Sequence, residues 1–202
     1  MKTRLFNGLA TVTRALLALP LLFAGHVMAG WELDSERSTV QFMSVKNTSI
    51  AELHYFHALA GEVADDGQAR VSIDLDSVET LIPIRNQRLR ELLFETVRFP
   101  AATLTTAVPA AVKSLDNGES VGTQLMVDVE LHGVIKRVEA GALVTKLNDG
   151  SLQVVLSEPL IINAADFGLD GGIEVLRDVA GLKNISTAVP VSATLVFSPL
   201  ES

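Results

Sequence analysis

Cysteine is absent from the 202-residue chain. That excludes a disulfide framework and an acylated N-terminal cysteine, and leaves any stability to the core alone. Aromatic residues are scarce, with one Trp, one Tyr and eight Phe. An interior built from this chain therefore rests on Val, Leu, Ile, Ala and Thr. Catalytic signatures are missing as well: the sequence has no G-x-S-x-G elbow, no phosphate-cradling P-loop and no dinucleotide glycine fingerprint. Basic charge is in deficit, 16 Lys and Arg against 24 Asp and Glu. Such a balance argues against nucleic acid or an anionic membrane surface as a general partner.

Long apolar runs are confined to Ala15 to Met28, interrupted by Pro20, Gly25 and His26. Fourteen residues are too few to cross a bilayer as a helix. Preceded by Lys2, Arg4 and Arg14 and followed by Val27-Met28-Ala29, the run reads as a secretory signal cleaved after Ala29. The expected mature chain is residues 30–202, with 13 basic and 24 acidic side chains, soluble and periplasmic. Its size fits one domain that buries roughly two-thirds of the surface exposed by the unfolded chain.

What is present is a recurring period of two. Thr39 to Lys46 reads as a strand, and the mixed segment from Asn47 to Ala64 ends in a short strand around Leu59 before the turn Asp65-Asp66-Gly67. Val71, Ile73 and Leu75 then alternate with Ser72, Asp74 and Asp76. The rhythm returns with Ala102, Leu104, Thr106 and Val108, and is cleanest where Leu125, Val127 and Val129 alternate with Gln124, Met126, Asp128 and Glu130. His132-Gly133 marks a tight turn or bulge, Asn148-Asp149-Gly150 a hairpin between two long strands, and Val189, Val191, Ala193, Leu195 and Phe197 close the chain. Two helical insertions interrupt the pattern. One lies in Ser77 to Pro100, with Pro83 at its start and Leu89, Leu92 and Leu93 at helical spacing; the other spans Glu174 to Leu182. About eight strands joined by sequential hairpins predict an all-β, up-and-down antiparallel barrel. Such a barrel is wide enough inside to be filled by side chains or to hold one small ligand.

Four short motifs, in order, resemble the YceI-like family of exported polyisoprenoid-binding proteins. They are Ser77-Val78-Glu79-Thr80 with Arg85-Asn86 and Leu89-Arg90; Phe99-Pro100-Ala101-Ala102; Leu131-His132-Gly133-Val134-Ile135-Lys136; and Ala165-Asp166-Phe167-Gly168-Leu169. Asn86, Arg137 and Lys46 depart from residues common in that family, where Asp, Pro and His are often found. The resemblance implies a lipocalin-like barrel with a helix over one end and a long isoprenoid or quinone tail in its interior.

Period-two reasoning gives the expected lining as Phe42, Val71, Ile73, Leu75, Leu104, Leu125, Val127, Val129, Val191, Leu195 and Phe197. Tail binding by such a wall needs only buried apolar area, at about 25 cal/mol per Å². Arg85 and Arg88, three apart on one helix face, are the candidates for a charged or polar head at the mouth, against the alternative of pairing with Glu91 or Glu95. His54, His57 and His132 are expected to be structural rather than metal ligands. No cofactor is required. The expected ligand is an isoprenoid lipid or quinone, and an envelope membrane protein, such as a quinone-reactive cytochrome, is the alternative partner. A third reading is an enzyme acting on such a lipid, with Lys46, Asp166 or a histidine as acid or base.

Overall fold

The structure, a computed structural model, describes residues 30–200; the signal segment expected over residues 1–29 lies outside them. Its strands are, in chain order, β1 Trp31–Leu33, β2 Thr39–Lys46, β3 Ile50–Phe56, β4 Leu59–Val63, β5 Gln68–Asp74, β6 Val78–Glu79, β7 Ala101–Ala107, β8 Ser120–Leu131, β9 Val134–Lys146, β10 Leu152–Leu156, β11 Leu160–Asn163 and β12 Ala188–Pro199. Three α-helices interleave with them: α1 Pro83–Arg88, which runs straight into a π-helical turn Leu89–Phe94, α2 Ala110–Lys113 and α3 Asp170–Val179.

Every strand pairing is antiparallel. β1 leads into β2, β3 into β4, β5 into β6 and β10 into β11, so the strands form eight staves of a meander. The circle closes through β12, whose C-terminal half pairs with β1 (Leu33 with Phe197) and whose N-terminal half pairs with β2 (Phe42 with Val191). Closure leaves no free sheet edge around the wall. The expected all-β, up-and-down barrel is the one observed. At the β8–β9 hairpin, Leu131 faces Val134 across His132 and Gly133, both with positive φ (52° and 76°), the geometry that a two-residue turn demands.

The two ends of the barrel differ. The floor, where the β4–β5 and β9–β10 turns meet α2, is packed tight with buried Val63, Ala69, Val112, Leu115, Val144, Leu152 and Phe197. The roof is made by α1 with its π-helical turn, by α3, and by the β2–β3 turn. Asn47 Oδ1 accepts the Lys183 N–H at 2.9 Å and Asn184 Oδ1 accepts the Thr48 N–H at 2.9 Å, which ties the 180–187 loop to that turn.

Three local expectations need correction. Residues 50–56 form a full strand, β3, where a mixed connection was expected. The second helix begins at Asp170 rather than Glu174 and ends at Val179. Gly171-Gly172 disguises its start, and Gly172 is there for proximity: a Cβ on it would lie 2.7 Å from the Leu92 carbonyl oxygen and 3.0 Å from Leu93 Cα. The third is α2, a four-residue helix that the sequence pattern did not indicate.

Candidate functional site

Inside the barrel is a cavity of about 280 Å³. It is walled by strands from all eight staves, by Leu93 and Phe94 of the roof, and by Val108, Pro109 and Val112 above the floor. Thr106 is the one lining residue with a polar side chain among the described residues. All eleven residues expected on the lining (Phe42, Val71, Ile73, Leu75, Leu104, Leu125, Val127, Val129, Val191, Leu195 and Phe197) are found there. Toward the roof three aromatic rings meet in sequence, Phe42 with Phe56 at 5.4 Å and Phe56 with Phe94 at 5.9 Å between centroids. Spacings of this size suit tilted aromatic contacts.

The wall changes character along β2 and β3. Directly paired residues share a face of the sheet, so the pairs Val40 with Phe56, Phe42 with His54, and Ser44 with Glu52 form successive rungs of the inner face. Rising toward the roof, that face passes from apolar through His54 to charge. Lys46 Nζ lies 2.6 Å from Glu52 Oε2, and Arg85 Nη1 from α1 donates to the same oxygen at 2.8 Å. Arg85 Nη2 also donates to the Thr80 carbonyl at 2.6 Å. The hydrogen bond from Lys46, and then the Arg85 charge, hold the Glu52 carboxyl below the usual carboxylate range.

His54 is 98 % buried, its ring 5.1 Å from that of Phe42 and its Nε2 2.8 Å from Ser44 Oγ. Burial, reinforced by the Arg85 charge, pushes its pKa down to about 4. The ring is therefore neutral at pH 7, with one nitrogen a donor and the other an acceptor. His54 Nδ1 and Arg85 Nε are both buried without a hydrogen-bond partner. Two orphaned groups in one small cluster mark a place where polar capacity is left over.

The arginine expectation needs revision. Arg85 and Arg88 do not form a free pair, and neither lines the cavity. Arg85 turns onto Glu52, a partner supplied by the strand that the sequence reading missed. Arg88 shares the face of Ile84 one turn away and makes no ion pair with Glu91 or Glu95; Glu91 accepts from Gln87, and Glu95 from Arg98. His132, in the β8–β9 turn, meets Phe99 in a tilted ring contact at 4.3 Å between centroids. The described residues contain no group of three or more His, Asp or Glu placed to hold a metal ion. Of the acid–base candidates, Lys46 is engaged by Glu52, and Asp166 is exposed on a 3-10 turn. The signal for the polar cluster was present in the sequence as the broken alternation of Glu52 and His54.

A family model for the YceI-like domain matches residues 31–197. A polyisoprenoid-binding domain from Saccharophagus degradans, implicated in plant cell wall breakdown, superposes with a TM-score of 0.82 at 39 % identity, covering 86 % of this chain and 99 % of that one. BcnA of Burkholderia cenocepacia superposes at 0.63 with 17 % identity, over 81 % of this chain and 98 % of BcnA. The Campylobacter jejuni YceI protein superposes at 0.50 with 18 % identity, over 74 % and 85 % of the two chains. The last two share the fold. No curated protein sequence matches the chain. No helix among the described residues is long and apolar enough to cross a membrane.

Proposed function

The chain belongs to the YceI-like family, and from that premise we propose that it is a carrier or store for an isoprenoid lipid, with the tail in the barrel and the head at the roof. The observation that carries the reading is the cavity itself, about 280 Å³ of space with a wall that is apolar but for Thr106. A continuous apolar void stays dry and rewards an apolar guest. A barrel whose only role was to present its outer surface to a partner would be expected to fill that volume with side chains.

The polar end gives the head a place. In the tautomer in which Ser44 Oγ donates to His54 Nε2, His54 Nδ1 carries a proton without an acceptor, as does Arg85 Nε; neither residue lines the cavity, and both belong to the polar cluster at its roof end. Two donors with no acceptor suit an oxygen acceptor on the ligand, such as a quinone carbonyl or a phosphate oxygen. No chemical step is needed for this role. The N-terminal signal pattern supports the same role in the periplasm.

Organic extraction of protein purified from its native source, followed by mass spectrometry, should release a prenyl lipid in near-stoichiometric amount. A clean blank from such protein overturns the proposal.

A further inference from the structure

Four consecutive apolar residues, Leu81, Ile82, Pro83 and Ile84, are exposed at the roof end of the barrel, Leu81 at 82 % and Ile84 at 53 %. A run of this kind is an error in a soluble surface unless something covers it. It is also held there at a cost. Leu81 has φ +63°, a left-handed conformation that side-chain-bearing residues seldom adopt.

The support beneath it is specific. Asn86, buried, accepts at Oδ1 both the Thr80 N–H (2.9 Å) and the Thr80 hydroxyl (2.5 Å), and its Nδ2 donates to Glu79 Oε1 at 3.0 Å. The same Glu79 oxygen accepts the Leu81 N–H. These bonds fix the backbone around Leu81 and project its side chain away from the protein.

Charge within the helix that follows is reversed relative to the rest of the chain, between the flanking Glu79 and Glu91. Residues 82–90 contain Arg85, Arg88 and Arg90 and no carboxylate, in a protein of net charge −8. Arg85 is bound to Glu52, and Arg90 donates to the Asp76 carbonyl. Arg88 has no ion-pair or hydrogen-bond partner among the described residues, and it shares a helix face with Ile84. Repulsion from the remote acidic surface is screened beyond a Debye length of about 8 Å at physiological salt.

We propose that Leu81 to Ile84, with Arg88, is a docking surface for a phospholipid bilayer, the apolar side chains entering the headgroup boundary while Arg88 meets lipid phosphate. Its occupant is a membrane rather than a protein, because a non-selective apolar tip beside a free guanidinium matches the order of a bilayer surface, acyl carbon beneath phosphate. The segment continues into the π-helical turn whose Leu93 and Phe94 line the cavity. Docking therefore brings the roof end of the barrel to the membrane. This goes beyond the carrier reading and does not require it.

The test is cosedimentation of the full mature chain with phosphatidylcholine vesicles, with and without phosphatidylglycerol. Wild-type protein should partition onto vesicles, more strongly with the anionic lipid. Leu81→Asp combined with Ile84→Asp should lower the partition coefficient at least tenfold, and Arg88→Gln should remove most of the preference for phosphatidylglycerol. Leu81→Gly is the second variant. It relieves the positive φ, so it should melt no lower than wild type, yet bind vesicles several-fold more weakly. Wild-type protein that stays in solution, or either Leu81 variant binding as well as wild type, overturns the proposal. Lipid extracted from the same samples reports on the cavity separately, since none of these residues lines it.

Discussion

Arg85 and Glu52 join the roof to the barrel wall, Nη1 of α1's arginine standing 2.8 Å from Oε2 of β3's glutamate, the oxygen that Lys46 also reaches at 2.6 Å. One carboxylate thus answers two cations whose side chains are about a quarter exposed. Removing it leaves both charges half-desolvated and unpaired. Full burial would make the loss larger, and full exposure would make it negligible. Glu52→Gln should therefore lower unfolding free energy by about 1–2 kcal/mol, read from the urea midpoint. An unchanged midpoint would mean that solvent already screens the triad.

This ion pair explains where the sequence was legible and where it was not. The eleven lining residues could be read because alternation along β2, β5 with the Leu75 that follows it, β7, β8 and β12 has a single cause, an apolar interior on one side and solvent on the other. On β3 the same inner face carries Glu52 and His54, which erases the alternation, so a seven-residue strand looks like a connection. Local pattern failed because a polar site occupies core positions. Arg85 suffered from the same omission, since its true partner lay on the unrecognised strand. The start of α3 was hidden for a different reason, the Gly171-Gly172 pair, of which Gly172 serves close approach to Leu92 and Leu93 rather than helix propensity.

Acid should destabilise the fold through His54. Its folded pKa, about 4, lies below the ordinary 6.5, so between these values the unfolded chain takes up a proton that the native ring refuses. The stability contribution of the neutral ring is complete above pH 6.5, falls as the pH drops, and is exhausted near pH 4. At about 1.4 kcal/mol per pH unit the loss is on the order of 3 kcal/mol. Urea titrations at half-unit intervals should show this slope in wild-type protein and a nearly flat line for His54→Leu over the same window.

Asn86 accepts from Thr80 and donates to Glu79, so an amide is required and a carboxylate is not equivalent. Asn86→Asp keeps the acceptor, but replaces the donor by an oxygen facing Glu79 Oε1 at the present 3.0 Å. Like charges so close raise the pKa of one member of the pair. The variant should lose about 1–3 kcal/mol at pH 7. Part of this should return as the pH falls toward 5 and a shared proton bridges the two groups. Melting temperatures of the variant and wild type at pH 7 and pH 5 test it; an equal deficit at both values would argue that the loss is purely one of packing.

Occupying the cavity from within distinguishes a binding void from a packing defect. Ala193 on β12 lines the void, opposite the buried Val40 on β2. In Ala193→Trp an indole, which buries roughly 200 Å², would project into a space of about 280 Å³. Overpacking usually costs about 1–3 kcal/mol, but here the ring enters empty apolar volume and gains burial that offsets the cost. The variant should melt within a few degrees of lipid-free wild type. If the void is where the tail lies, extractable lipid should fall several-fold, whereas a tail held on the outer surface would leave lipid content unaltered.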